Sequence, residues 1–530
     1  MVFQNENTLQ KFILSKREEL FHDEYQRSVQ KVRSEFGRRY PLLIGGKKLE
    51  ANKTFIHRSP VDTRILIGYF PRSSTKDTED AVNAAKESFE SWRDYDYRKR
   101  VDICRLAGDI LRRRKFEIAA WLSYENGKNR YEAIGDVDEA VDFVRFYSDI
   151  MEENEGFTIQ TKSASPTETS KSVMKPYGVW AVIAPFNFPA AILIGMSVGA
   201  LITGNTIVLK PASDAPVVGY KFAEVMEEAG LPDGVLNLVT GSGIHVGDAL
   251  VKSEHVAGVV FTGSKKVGYR MMKRLSRTKP RALIAELGGK NPAIVTKSAN
   301  LDEAVQGVSS AAFGYSGQKC SACSRVYVNK EAKQEFIKKL REKTTTLQVG
   351  NPLEANTFLG PLISAHAYDN YQKYAKIASR DGKVLMGGHT NKNGDLRYGF
   401  YVEPTIVDGL HEGHRLLRDE LFVPILCVVE YENLEDAIRS CNSSEYGLTA
   451  GIYSRKQDDI DKFIQNIEAG VVYVNRALSA TTGAMVGCQS FVGWKASGTT
   501  GKGTGGPYYL TQFLREQSQT FANNKAKESG

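Results

Sequence analysis

Short β-branched runs alternate with helically spaced apolar positions through the middle of this chain. Val179 to Ile183, Thr206 to Leu209, Leu236 to Val239, Val259 to Phe261 and Leu283 to Glu286 are apolar and bounded by turn residues, which predicts buried strands. Between them, 216–229, 243–252 and 265–276 carry the spacing of helices. Strand and helix alternating in this way imply βαβ crossovers and a mostly parallel sheet covered on both faces. Nucleotide binding at the carboxyl edge becomes the default question for such a sheet.

The same vocabulary recurs from 297 to 475. Leu301 to Phe313 and Gln334 to Thr344 predict helices, while Arg325 to Val328, Tyr401 to Val407, Ile425 to Val429 and Gly470 to Asn475 predict strands. A second α/β domain follows from that pattern. Residues 1–40 are charged and helical in spacing, and 41–72 change to short hairpin strands with Gly45, Gly46 and Pro60. Ser74 and Thr75 open a helix with Ala81, Ala85, Phe89 and Trp92 on one stripe, followed by one helix over 98–125 and another over 132–152. Near the end, five glycines between 498 and 506 precede Tyr508 to Leu514, an expected outlying strand with 161–178 as its hairpin partner. Exposed strands of this kind usually need another subunit over their edges, so a homodimer or a larger homo-oligomer is expected.

Composition narrows the class. The 530 residues include 42 % hydrophobic and 10 % aromatic positions, enough to build large cores and to set aside disulfide-stapled, collagen-like and disordered chains. Lys plus Arg number 70 against 62 Asp plus Glu, and the two signs are interspersed. The densest basic runs, Arg98 to Arg100 and Arg112 to Lys115, fall on helical spacing and are read as solvated helix faces, so no nucleic-acid partner is expected. The six cysteines have no paired framework, which favours reduced thiols and a cytoplasmic setting. The opening MVFQNENTLQKF is too polar for a leader peptide. Pro185, Asn187, Pro189, Gly195, Gly199 and Asn205 break the apolar stretch 179–209 before it reaches the length of a membrane span.

Three fragments bear on chemistry. Glu286 ends a predicted strand and is followed by Leu287, Gly288 and Gly289, where the missing side chains would let another group approach; a carboxylate that merely caps or pairs is the even alternative. Cys320 lies in GYSGQKCSACSR. A buried inert thiol is the commoner reading, but Gly317, Gln318 and Lys319 argue for an exposed, locally positive setting that favours thiolate. Asn187, between the prolines of APFNFP, offers an amide to a developing oxyanion or simply serves a turn. GSGIHVG at 241–247 departs from the dinucleotide fingerprint, Gly288-Gly289-Lys290 is followed by Asn291 and so is no Walker loop, and HEGH at 411–414 lacks metallopeptidase spacing. No metal site is expected.

APFNFP, TIVLKPAS, FTGS at 261–264, AELGGKN at 285–291, GQKCSACSR at 317–325 and DELFVPIL at 419–426 together resemble the aldehyde dehydrogenase superfamily, in the family's order, from about 40 to 515. Cys320 lies 34 residues beyond Glu286, and Glu286 lies 99 beyond Asn187, spacings also like the family's. The resemblance implies an α/β fold with a Rossmann-type cofactor domain, an α/β catalytic domain and a small β oligomerisation arm. The corresponding divisions are 1–160 and 179–288 for the cofactor domain, 161–178 for the arm hairpin, 289–488 for the catalytic domain and 489–530 for a C-terminal loop and arm strand. It further implies Cys320 as nucleophile, Asn187 with the Cys320 backbone amide as oxyanion hole, and Glu286 as the base for water. Lys210, Ser213, Gly263, Ser264, Glu420 and Phe422 would bind NAD, with NADP admitted because Ser213 stands where many NAD-preferring relatives carry Glu.

TTGAMVG at 481–487 and SGTTGKGTGGPYYLTQFL at 497–514 narrow the resemblance to members acting on an amino-acid semialdehyde, L-glutamate 5-semialdehyde first. Ser321, Gly483 and Ala484 would then hold the α-carboxylate, Glu139 would face the amino group, and Phe188 and Phe491 would wall the aliphatic middle. The chain departs from the family at Val423 and Val492, where glycines are customary, which bears on the nicotinamide loop and the pocket floor. Two other readings stand beside this one: a dehydrogenase for another semialdehyde such as succinic semialdehyde, and a non-redox cysteine acyltransferase.

Overall fold

The computed structural model describes residues 3–277, 280–477 and 485–522. Its first large sheet has seven strands in the order Ala282–Glu286, Val256–Thr262, Val179–Ile183, Thr206–Lys210, Leu236–Leu238, Leu42–Ile44, Lys47–Leu49. The strands from Ala282–Glu286 to Leu236–Leu238 are parallel, and the outer pair adds antiparallel. Every residue of Val179–Ile183 and Thr206–Lys210 is buried, as unbroken apolar runs require when helices cover both faces. From Val179–Ile183 the chain builds outward to one side, then returns to place Val256–Thr262 on the other. Strand order therefore reverses between these two, and their carboxyl ends border the crevice.

A second seven-stranded sheet runs Lys383–Met386, Thr405–Asp408, Ile425–Tyr431, Cys323–Asn329, Asn291–Val295, Thr449–Tyr453, Val471–Val474. All pairs are parallel except the first. Its strand Asn291–Val295 begins only four residues after Glu286 closes the first sheet, so the carboxyl edge of one sheet faces the amino edge of the other. Thr449–Tyr453 escaped the sequence pattern because TAGIY is interrupted by Gly451. That glycine makes room for a neighbour, since a Cβ there would lie 1.9 Å from Cζ of Tyr473.

The helices Ala191–Ile202, Ala365–Asp381, Leu434–Asn442 and Gln457–Asn466 go beyond those expected from the sequence, and one expected helix is divided. The helix expected over 98–125 is two, Tyr97–Arg113 and Lys115–Asn126, broken within the basic run at Arg114. That guanidinium is drawn to Glu117 at 2.9 Å and Glu224 at 2.8 Å, so part of the run is a structural clamp and not a solvated face. The helix Thr75–Asp94 starts at Ser74 in a capping box with Asp77, and Arg130–Glu153 starts at Asn129, whose side chain accepts from the N–H groups of Tyr131 and Glu132. No helix among the described residues is long and apolar enough to cross a membrane.

A small antiparallel sheet joins Thr158–Thr161, Glu168–Pro176 and Leu514–Ala522. Two expectations are corrected here. The hairpin begins at Thr158 and not at 161, and residues Leu510–Phe513 form a 3-10 turn, so the last strand starts at Leu514. Burial explains the shift: Tyr509 stacks on Tyr147 at 5.5 Å and Phe513 packs against Trp180 at 4.6 Å, which holds this stretch in the core before the chain is released to the arm.

Buried Asn205 ties that turn to the first sheet. Its Oδ1 accepts from Gly178 N at 2.9 Å and Trp180 Nε1 at 3.1 Å, and its Nδ2 donates to Thr203 Oγ1 at 3.0 Å and Phe513 O at 3.0 Å. Each buried group left without a partner costs about 1–3 kcal/mol. Asn205→Leu is therefore expected to lower the urea midpoint by several kcal/mol of stability, and a midpoint equal to that of the unmodified chain would contradict this account.

Candidate active site

Three segments meet where the two sheets face each other. Asn187 follows the strand Val179–Ile183, Glu286 closes Ala282–Glu286, and Cys320 precedes Cys323–Asn329. Cys320, Glu286, Glu139, Phe188, Ser321 and Phe491 line one cavity of about 610 Å³ counting its open mouth. Gly483 and Ala484 lie outside the described residues. Met196, Thr262 and Tyr509 also line it. Sequence reasoning missed these three because they belong to a helix, a strand end and the C-terminal turn, where their apolar or small character reads as core.

The loop before Cys320 is held in an uncommon conformation. Tyr315, Ser316 and Gly317 have φ of 49°, 53° and 69°, and left-handed non-glycine residues cost on the order of 1–3 kcal/mol each. Fixed partners hold them there: Tyr315 Oη donates to Asn126 O at 2.9 Å, and Ser316 Oγ to Gly360 O at 2.6 Å. Gln318, wholly buried, accepts from Ile363 N at 2.8 Å and donates to Pro361 O at 3.3 Å. Asn291 Nδ2 donates to the carbonyls of Cys320 at 2.7 Å and Ala322 at 3.0 Å. One N–H of Asn187 goes to Gln318 O at 3.1 Å, which orients the amide and leaves its second N–H for another acceptor.

Gly288 and Gly289 have the close neighbours their sequence position suggested. A Cβ on Gly289 would stand 2.3 Å from Cys320 O, and one on Gly288 would stand 2.2 Å from Glu420 Oε2. The other oxygen of Glu420 accepts from Gly289 N at 3.0 Å.

The electrostatics correct one expectation. Cys320 is not in a positive setting: Lys319 turns to Glu132 at 2.8 Å, and burial, with Glu420 and Glu286 adding to it, pushes the thiol up to about 12. Burial also pushes the Glu286 carboxyl well above its ordinary range, against a hydrogen bond from the Gly493 backbone, and its Oε2 has no partner among the described residues. Glu139 is pushed to about 8 by burial and then by Asp136, with Lys128 opposing. Lys128 and Asp136 form a wholly buried pair at 2.8 Å, and the Lys128 ammonium lies 3.5 Å from the centre of the Phe188 ring. One wall of the cavity is thereby fixed.

Of the residues assigned to a dinucleotide, Lys210, Ser213, Gly263 and Ser264 follow strands of the first sheet, whereas Glu420 and Phe422 precede the strand Ile425–Tyr431 of the second. Lys210 ends its strand, is buried, and makes its only hydrogen bond among the described residues to Pro211 O at 3.1 Å. Ser213 Oγ donates to Gly241 O at 3.0 Å. Gly263 N donates to Glu286 O at 3.1 Å. Ser264 precedes the helix Lys265–Leu275 without a side-chain cap bond, leaving a free hydroxyl beside the first N–H groups of that helix. Phe422, at φ 57°, meets the Phe186 ring edge-on at 5.8 Å. A buried ammonium, a hydroxyl at a helix start and the Glu420 carboxylate suit phosphate and ribose oxygens, so the set fits a dinucleotide. Val423 points into the apolar core beside Leu421 and Ile425, which accounts for a branched residue at that position. Among the described residues no cluster suits a metal ion, and all six cysteines are free.

A model of the aldehyde dehydrogenase family matches residues 48–518. The 1-pyrroline-5-carboxylate dehydrogenase of Geobacillus thermodenitrificans is 39 % identical over 499 residues, spanning 93 % of this chain and 94 % of that protein. The crystal structure of the 1-pyrroline-5-carboxylate dehydrogenase from Thermus with bound NAD has a TM-score of 0.92 at 34 % identity, covering 98 % of this chain and 99 % of that one. A crystal structure of an NADP-dependent enzyme from E. coli has a TM-score of 0.85 at 28 % identity, covering 92 % and 99 %.

Two expectations arise from this geometry. Gly288→Ala forces Glu420 aside and should weaken dinucleotide affinity at least tenfold by titration calorimetry, with the fold retained by circular dichroism; unchanged affinity would contradict the packing. A thiol held near 12 gives a tenfold gain in thiolate per pH unit well past the ordinary cysteine value. In the cofactor-free protein, iodoacetamide labelling of Cys320, followed by peptide mass spectrometry, should therefore keep rising from pH 7 to 10. A plateau above pH 9 would count against it.

Proposed function

The chain belongs to the aldehyde dehydrogenase family, and on that footing we propose that it oxidises L-glutamate 5-semialdehyde, the open form of 1-pyrroline-5-carboxylate, to L-glutamate in proline breakdown. The observation that carries this reading is one cavity shared by a thiol, a carboxyl at Glu286 and a second carboxyl at Glu139, with Phe188 and Phe491 also lining it. An aldehyde carbon suits the thiol, and an α-ammonium suits Glu139. Ser321 offers its hydroxyl to the α-carboxylate.

Cys320 loses its proton and its sulfur bonds to the aldehyde carbon, giving a thiohemiacetal. The free N–H of Asn187 and the Cys320 backbone N–H take the negative oxygen, each such donor stabilising the transition state by about 2.7–4 kcal/mol. Lys210, Ser264 and Glu420 would hold NAD or NADP, which would supply the hydride acceptor needed to oxidise that adduct to a thioester. Glu286, once ionised, takes a proton from water as the water oxygen attacks the thioester carbon. The C–S bond then breaks, glutamate leaves and the thiol is restored. Base catalysis of this kind contributes about 10²- to 10⁴-fold.

Ser213 in place of a carboxylate leaves room, without repulsion, for a 2′-phosphate, so both dinucleotides are included. The exposed strands Thr158–Thr161 and Leu514–Ala522 favour a homo-oligomer built through the arm.

A panel of 1-pyrroline-5-carboxylate, succinic semialdehyde and a short aliphatic aldehyde, each with NAD and NADP, tests the assignment. The first should have the highest kcat/KM, and a higher value for either of the others would overturn it. Cys320→Ala should abolish reduction of the dinucleotide while leaving its binding intact. Glu286→Gln should release one equivalent of reduced dinucleotide in a burst and then slow by about 10²-fold or more; steady turnover without acyl-enzyme in the mass spectrum would remove Glu286 from the base role. Because burial raises the Glu286 carboxyl above its ordinary range and it must ionise to act, a deacylation-limited kcat should keep climbing with pH above the range where an ordinary carboxylate is fully ionised.

A further inference from the structure

The match to the family begins at residue 48, yet residues near the start of the chain reach the frame of the cavity. Asn5 Nδ2 donates to Asp142 Oδ2 at 3.0 Å and to Val486 O at 2.9 Å. Beside it, Glu6 N donates to Asp142 Oδ1 at 2.8 Å, and Thr8 N and Oγ1 donate to Asp138 at 2.7 Å each. Both carboxylates belong to the helix Arg130–Glu153, which also carries Glu139. Phe3 covers Gly487, where a Cβ would stand 2.8 Å from the ring.

From Val486 the path to the cavity is short. Gly487 N donates to Gly505 O at 3.0 Å, and Gly505 N donates to Tyr147 Oη at 3.1 Å. Thr504 and Phe491 exchange both backbone hydrogen bonds at 2.9 Å, and both line the cavity. One side-chain amide thus joins the helix bearing Glu139 to the segment bearing the Phe491 wall.

We propose that residues 3–8 form a brace and that Asn5 is a positioning residue, setting the distance between Glu139 and the Phe491 wall and so the fit of an amino-acid semialdehyde. The brace itself stands on the hydrogen bonds; only the substrate that feels it rests on the function proposed above.

Asn5→Ala in the full-length protein tests it. Loss of its two donated hydrogen bonds and of the third, from Cys488 Sγ to Asn5 Oδ1 at 3.3 Å, should raise KM for glutamate semialdehyde roughly tenfold. The kcat for that substrate and the kcat/KM for a short aliphatic aldehyde, which has no amino group to place, should stay near those of the unmodified chain. In the same variant, hydrogen exchange of peptides covering 485–489 and 503–506 should quicken. Unchanged KM with unchanged exchange overturns the brace. Equal loss on both aldehydes together with a lowered melting temperature also overturns the positioning role and leaves a merely structural one. If the unmodified chain prefers the aliphatic aldehyde, the substrate assignment fails, and the exchange measurement alone decides whether the amide couples the two segments.

Discussion

Four residues, Leu287 to Lys290, carry the chain from the carboxyl edge of one parallel sheet to the amino edge of the next, and two of them have no side chain. This is the constraint on which the site depends. Through the gap left by Gly288 and Gly289 come the carboxylate of Glu420 and the carbonyl of Cys320. Edges of opposite sense are thereby brought within reach of one another, so that a residue closing a strand in one sheet and a residue opening a strand in the other share a cavity. Neither domain holds the arrangement alone.

Two cations near the site are already paired, Lys319 with Glu132 and Lys128 with Asp136, while burial raises the proton affinity of the Glu286 and Glu420 carboxyls beside the thiol. The buried pair of Lys128 and Asp136 carries a desolvation cost, met by extra partners: Asp136 accepts from Ala191 N at 2.8 Å, and the ammonium faces the Phe188 ring. The pair thus orders the entry of a helix and a wall of the cavity together.

Much of this was legible in the sequence. Unbroken β-branched runs marked the inner strands of the first sheet because full burial leaves no polar alternation, and Glu286 before two glycines marked the junction. Tertiary contacts explain the misses. Gly451 hides an inner strand because its missing side chain makes room for the ring of Tyr473. The break at Arg114 coincides with ion pairs to Glu117 nearby and to Glu224 far along the chain, and Tyr508 to Leu514 looks extended although aromatic stacking curls it into a turn. Lys319 beside Cys320 suggested a thiolate, and only the fold reveals that its charge is directed at Glu132. Asn5 carries no local signal at all, since its side-chain partners Asp142, Val486 and Cys488 all lie more than a hundred residues away.

Tyr509 lines the cavity, and five residues later the chain enters the arm at Leu514. The intervening turn is pinned by Asn205 to the first sheet. Pulling on the outlying strand therefore meets a fixed anchor before it meets the pocket. Arm and pocket are thus joined by one short segment that is fixed to the sheet between them.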